Sequence, residues 1–169
     1  MPGNPLPDAE QLLQALIKQM RPAVGPETGL IGIHTGGVWI AEKLHSALNL
    51  KVPLAAIDVS FYRDDYQSRG LRPDVKRSDI PFEVEDRDLI LVDDVLYTGR
   101  TIRAALNEIF DYGRPGRVQL AALVDRGGRQ LPIAAAYVGA TVRLKAGQSL
   151  ELTRDSKGRF AFVLHEGKP

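Results

Sequence analysis

The sequence predicts an α/β fold: a mostly parallel central sheet with helices on both faces. Three observations carry the prediction. Strand-like and helix-like segments alternate along the chain, the pattern of βαβ crossovers. LILVDD (89–94) and RVQLAALVD (117–125) are near-continuous apolar runs, the mark of strands covered on both faces. The 169 residues, 44% apolar and 25% charged, suffice for one domain (1–169) with a sizeable core.

The elements follow in order. A proline-rich lead, MPGNPLP, precedes a helix that starts at Asp8, with Gln11 three residues on as in a capping box. Leu12, Leu13, Leu16, Ile17 and Met20 recur at helical spacing, and Pro22 ends the run. GLIGIHT (29–35) reads as a buried strand, Gly36 and Gly37 break it, and VWIAEKLHSAL (38–48) reads as a helix. PLAAIDVSFY (53–62) is the next strand. The charged stretch 63–88 holds Gly70, Pro73 and Pro81 and has no clear period. A loop of that length in a compact domain is usually functional or disordered, and this one has room for short edge strands. After the strand at 89–94, Arg100 to Tyr112 reads as a helix ended by Gly113 and Pro115. Further strands are expected at 117–125 and 133–139 (IAAAYVG), and SLELTRD with RFAFVLHE, around Ser156-Lys157-Gly158, as a terminal hairpin.

Bulk properties exclude several classes. The net charge of +1 advertises no global field for nucleic acid or membrane. No cysteine is present, so disulfides and thiolate metal sites are excluded. The lead lacks a basic segment followed by an apolar one, and no apolar run approaches the roughly 20 residues that span a bilayer, so a cytoplasmic place is the default. No histidine pair has zinc-ligand spacing. His34 falls on a buried-strand pattern and reads as structural, His45 and His165 as surface positions, and Trp39 as core or interface.

In open α/β sheets, ligands bind beyond the carboxyl ends of the strands. Three predicted strands end in Thr35-Gly36-Gly37, Asp93-Asp94 and Asp125-Arg126-Gly127. Between Asp94 and the next helix, Gly99 permits a tight turn, the helix start offers N–H groups, and Thr98 and Thr101 add hydroxyls. Together they describe a cup for a phosphate monoester. The two aspartates would repel a phosphate; they suit neutral donors such as ribose hydroxyls, or a magnesium ion. No Walker or Rossmann fingerprint is present.

LILVDDVLYTGRT resembles the phosphoribosyl-pyrophosphate (PRPP) motif of type I phosphoribosyltransferases. DDVLYTGRT is similar to one branch in particular, the PyrR-type pyrimidine operon attenuators that are also uracil phosphoribosyltransferases. IGIHTGGVWIAEKL, IDVSFYRDD, DIPFEVEDRDLILVDDVLYTGRT, DYGRPGRVQLAALVDRGGRQLPI and YVGATV occur in the same order in similar form, covering 28–142; the hairpin fits more loosely. The resemblance implies the type I fold with a mobile lid at about 63–80. It implies that uracil displaces pyrophosphate from PRPP to give UMP with Mg2+, in a homodimer or homotetramer.

It also implies roles. Tyr97, Thr98, Gly99, Arg100 and Thr101 cradle the 5-phosphate. Asp93 and Asp94 act as catalytic residues that hold the ribose hydroxyls, with the metal bound directly or through ribose and water. Thr35, Gly36 and Gly37 form the pyrophosphate loop. The family usually has arginine at Gly36, so part of that grip is weaker here or supplied elsewhere, for instance by Arg63. Arg63, in the matching YRDD, is the first choice among the lid cations Arg63, Arg69, Arg72, Lys76 and Arg77. Asp125 and Arg126 lie on the base-side loop, where Arg126 either donates to the uracil edge or pairs with Asp125. Tyr97 stands where purine enzymes carry an aspartate. A phenol is a poor base near neutral pH, which argues for a pyrimidine.

The resemblance further implies binding of leader RNA in the presence of UMP. Lys18, Arg21, Arg129 and Arg143 would form a basic patch if the fold brought them together. Gly128, Ala134 and Ala140 stand where the family's RNA binders carry basic or histidine side chains. Two readings therefore stand: an active uracil phosphoribosyltransferase, and a UMP-sensing RNA-binding attenuator with little catalytic role.

Overall fold

A computed structural model of the chain describes residues 5–60 and 78–167. Arg63, Arg69, Arg72, Lys76 and Arg77, and with them most of the predicted lid, lie outside the described residues.

Helix α1 (Ala9–Met20) begins where the cap predicts. The Asp8 carboxylate accepts the N–H groups of Glu10 and Gln11 at 2.9 and 3.2 Å, satisfying donors that the helix itself cannot. Its buried stripe is Ala9, Leu13, Leu16, Ile17 and Met20, and each large apolar side chain removed from water contributes roughly 2 kcal/mol. Then come β1 (Gly29–Ile33), α2 (Gly36–Ala47), β2 (Ala55–Ile57), β3 (Asp88–Leu96), α3 (Arg100–Phe110), β4 (Arg117–Asp125) and β5 (Tyr137–Thr141). The five strands form an all-parallel sheet in the order β2-β1-β3-β4-β5. Strands β6 (Gln148–Arg154) and β7 (Phe160–Glu166) pair antiparallel as the expected hairpin.

Alternation along the strands sorts the core into two layers. Leu30, Ile90, Val92, Ala121 and Leu123 pack with α1, α2 and the hairpin. Ile31, Ile33, Leu89, Leu91, Leu120 and Ala122 pack with α3 on the other face. Helices therefore cover both faces, as the near-continuous apolar strands require.

Three elements depart from the sequence reading. β1 ends before Gly36 and Gly37 as expected, but the two glycines are themselves the first residues of α2, which starts ahead of Val38. Of the strand read at 53–62, the described residues are regular only over Ala55–Ile57, where Ala56 exchanges two backbone hydrogen bonds with Asp79, an edge pairing inside the long charged stretch; Phe61 and Tyr62 lie outside the described residues. The last parallel strand starts at Tyr137 rather than Ile133. Ile133 and Ala135 pack against the α3 layer instead, so that apolar run holds down a loop rather than extending the ladder.

The chain runs from β1 outward to β2, then returns to β3 and continues the opposite way to β4 and β5. The reversal leaves a crevice beyond the carboxyl ends of β1 and β3, the place where such sheets bind ligands.

Candidate active site

A cleft of about 520 Å³ opens at that crevice. Its floor comes from three strand ends: Ile33 at the end of β1 with His34 and Thr35 after it, Asp58 to Ser60 after β2, and Asp93 to Val95 on β3. Glu151 and Leu152 of the hairpin and Trp39 of α2 complete the walls. A smaller cavity of about 130 Å³ adjoins it, lined by Asp93, Val95, Leu96, Tyr97, Thr98, Gly99, Thr101 and Ile102. The two cavities share Asp93, Val95 and Thr101.

The small cavity gathers most of the residues expected to form the phosphate cup. Gly99 adopts φ +92°, a conformation that side chains resist, and so lets the chain turn from β3 into α3. The Arg100 N–H donates to the Thr98 hydroxyl oxygen at 3.2 Å. Four of the five residues expected to cradle the 5-phosphate line the cup; Arg100 does not, since its Nε donates to Gln130 Oε1 at 2.8 Å.

The adjacent aspartates face opposite ways, because side chains alternate along a strand. Asp93 is buried at 7% exposure and lines both cavities. Asp94 lines only the cleft and leans over the start of α2, where its carboxylate fills the space beside the Gly36 Cα. Neighbouring backbone holds each one: Asp93 Oδ1 accepts the Asp94 N–H at 2.9 Å, and Asp94 Oδ1 accepts the Val95 N–H at 2.8 Å. Of the predicted pyrophosphate loop, Thr35 and Gly36 line the cleft. Gly37 lies beneath it, buried, and a Cβ there would run into the Val92 carbonyl. Gly37 thus serves close packing of α2 on β3.

Asp125 and Arg126 stand beside the cup, at the end of β4, rather than in either cavity wall. Asp125 pairs with Arg129 at 2.6 Å, not with Arg126, and also accepts the Gly127 N–H at 2.9 Å. Burial works to raise its pKa, but the Arg129 hydrogen bond, the Gly127 N–H and the Arg129 charge together hold it below the usual carboxylate range. The Arg126 guanidinium stacks on the Tyr97 ring at 3.9 Å, and its Nε is buried without a hydrogen-bond partner in the structure.

Sequence reasoning missed several residues of the cleft. Asp58 is buried at 8% exposure and accepts both the N–H and the hydroxyl of Ser60. It ends a strand like the other carboxylates, but a strand read through to Tyr62 hid that. Trp39 proves to be a cleft wall, with the Arg154 guanidinium 4.7 Å from its ring centre. Glu151, paired with His165, comes from the hairpin, which no local pattern connects to β3. His34 lines the cleft and donates its N–H to the Ile57 carbonyl. His45 is half-buried rather than on the surface, its Nε2 2.7 Å from the Val52 carbonyl oxygen. Of the basic set, Lys18, Arg21 and Arg143 are exposed, whereas Arg129 is turned inward. Among the described residues, no helix is long and apolar enough to cross a membrane.

A strand–turn–helix pocket beside strand-end carboxylates, on a parallel sheet of this strand order, is the architecture of a type I phosphoribosyltransferase. The family model for the phosphoribosyl transferase domain matches residues 5–151. The "Bifunctional protein PyrR" of Ralstonia nicotianae is 49% identical over 163 residues, 92% of this chain and 93% of its own. That of Nitrosococcus oceani is 57% identical over 126 residues, 73% of this chain and 71% of its own. Among solved structures, a hypoxanthine-guanine phosphoribosyltransferase from Bacillus anthracis superposes with a TM-score of 0.65 at 22% identity, covering 82% of this chain and 83% of that one, a likeness of fold. The chain belongs to the phosphoribosyltransferase family, in its PyrR-type branch.

Proposed function

We propose that the chain is a uracil phosphoribosyltransferase: uracil and PRPP give UMP and pyrophosphate. The observation that carries this reading is the junction of cleft and cup at Asp93, Val95 and Thr101. A substrate with a phosphate monoester in the cup places its sugar against Asp93, and the larger cleft takes a base on one side and a diphosphate on the other. The bond from uracil N1 to the ribose C1 forms as the bond from C1 to the diphosphate oxygen breaks, and the N1 proton leaves. Positive charge develops on the sugar during that exchange. Asp93 and Asp94 then act by holding the hydroxyls and by lying close to that charge, so catalysis is mainly positioning and electrostatics.

Magnesium fits this donor set. Among the described residues no three or more His, Asp or Glu side chains gather as a metal cage. Mg2+ in phosphate chemistry is commonly held by one or two carboxylates, with water and substrate oxygens completing the shell. Asp93 and Asp94 both reach the cleft, from opposite sides of β3, and would hold the ion directly or through ribose and water, where it would offset the charge of the departing diphosphate.

A pyrimidine acceptor is supported by Tyr97, in place of the aspartate that purine enzymes present, and by the PyrR relatives. The inward engagement of Arg129 thins the exposed basic set and favours the enzyme over the RNA-binding attenuator. The test is UMP formation from uracil, PRPP and Mg2+, run beside an Asp93→Asn, Asp94→Asn double variant. Product from the parent alone supports the reading. A parent that binds PRPP and UMP yet turns over no uracil overturns it.

A further inference from the structure

The loop after β4 is built around one side chain. Arg129 keeps only 24% of its side chain exposed and directs all three guanidinium nitrogens inward. Nε donates to the Ile133 carbonyl at 2.8 Å, which ties the loop to itself. One terminal nitrogen donates to Asp125 at 2.6 Å, which ties the loop to the end of β4. The other donates to the Tyr97 carbonyl at 2.7 Å, and Tyr97 belongs to the phosphate cup.

The next peptide of the cup is held from the same side. The N–H groups of Gln130 and Leu131 both donate to the Thr98 carbonyl, at 2.9 and 3.2 Å. Ile133 packs against Gly99, so that a Cβ there would lie 2.9 Å from Ile133 Cγ1. Two consecutive carbonyls of the cup, Tyr97 and Thr98, therefore point into this loop. In a planar trans peptide the N–H points opposite to the C=O. Fixing the Tyr97 carbonyl on the loop side turns the Thr98 N–H to the other side, and fixing the Thr98 carbonyl does the same for the Gly99 N–H. That other side is the cup, whose wall includes Tyr97, Thr98 and Gly99 but neither Arg129 nor Leu131.

The geometry points to Arg129 as a positioning residue for 5-phosphate binding. It touches no ligand; it sets the direction of the amides that do. The assignment rests on the reading of the small cavity as the phosphate cup and is independent of which base the enzyme uses. It also gives Arg129 a role separate from any basic surface.

The experiment is calorimetric binding of PRPP, UMP and inorganic pyrophosphate, with Mg2+, to the parent and to Arg129→Gln and Arg129→Lys. Both phosphate esters use the cup, and pyrophosphate alone does not need it. Arg129→Gln is expected to weaken PRPP and UMP by a similar factor, about tenfold or more, with pyrophosphate affinity unchanged. Arg129→Lys keeps the charge but cannot reach three acceptors in a fixed fork, so it is expected to recover only part of the loss, and it carries the same test where Arg129→Gln fails to fold. Unchanged ester affinity in either folded variant overturns the proposal. So does equal loss of all three ligands, which marks a general structural role, and so does full recovery by lysine, which assigns the effect to charge. A parent that binds pyrophosphate but neither ester overturns the cup, and the proposal with it, and is distinguishable from the other outcomes.

Discussion

The carboxylate of Asp94 occupies the space beside the Cα of Gly36: a Cβ built on Gly36 would lie 2.8 Å from Asp94 Cγ and 3.0 Å from its Cβ. Side-chain atoms do not approach so closely, so a side chain at position 36 requires Asp94 to move. Gly36→Ala is expected to push the carboxylate out of the cleft floor. KM for PRPP should rise about tenfold, which corresponds to about 1.4 kcal/mol, with a smaller effect on UMP, which carries no diphosphate. Steady-state kinetics with UMP competition check this. An unchanged KM in a folded variant would show that Asp94 acts elsewhere.

The Asp125–Arg129 pair predicts a pH dependence with a definite sign. The folded pKa of Asp125 lies below its unfolded value of about 3.9. Its stabilising contribution is therefore complete above that unfolded value and disappears as the pH falls through the lower folded one. Asp125→Asn removes the titration. Urea midpoints measured between about pH 7 and pH 2.5 should show the difference between parent and variant shrinking at the acid end of the series. A constant difference across the whole range would mean that the pair contributes nothing through ionisation.

Gly128 has φ +82°, and a Cβ there would lie 2.6 Å from the Tyr97 ring. Two separate penalties thus attend Gly128→Ala: about 1–2 kcal/mol for a side chain in the left-handed region, and displacement of the ring that carries Arg126. Only the second depends on Tyr97. Thermal unfolding of Gly128→Ala, Tyr97→Leu and the double variant separates them, since the ring clash is absent once the ring is gone. The double variant is expected to be more stable than additivity predicts. Strict additivity would show that ring and loop adapt without strain.

Much of this was legible along the chain. The apolar runs gave the parallel strands because burial on both faces leaves no polar alternation, and Asp8 fixed the start of α1 through a local hydrogen bond. The small cavity was legible because most of its wall is close in sequence, from Leu96 to Gly99 with Thr101 and Ile102. What escaped was assembled across distance. Trp39, Asp58 and Glu151 reach one cleft from a helix, a strand end and the hairpin, and Arg129 meets Tyr97 across 32 positions of sequence. No periodicity encodes such meetings. The start of α2 escaped for a different reason: glycines suggest a break, yet here they allow a helix end to approach β3 and Asp94 closely.

Removing magnesium should separate the two phosphate esters, PRPP and UMP, that the proposed cup would hold. In the proposed reading PRPP would bring its diphosphate into a cleft lined by Asp58, Asp93, Asp94 and Glu151, all acidic, and a divalent ion is the obvious means of offsetting that repulsion. UMP carries only the monoester, which the proposed cup would hold among Thr98, Gly99 and Thr101. Chelation with EDTA is therefore expected to weaken PRPP by about a hundredfold, or about 2.7 kcal/mol, and UMP by no more than a few-fold. Titrations with and without EDTA, in matched ionic strength, measure both. If the two ligands weaken equally, the ion serves the cup or the fold rather than the diphosphate; if neither weakens, the acidic cleft tolerates the diphosphate unaided and the role assigned to the metal is wrong.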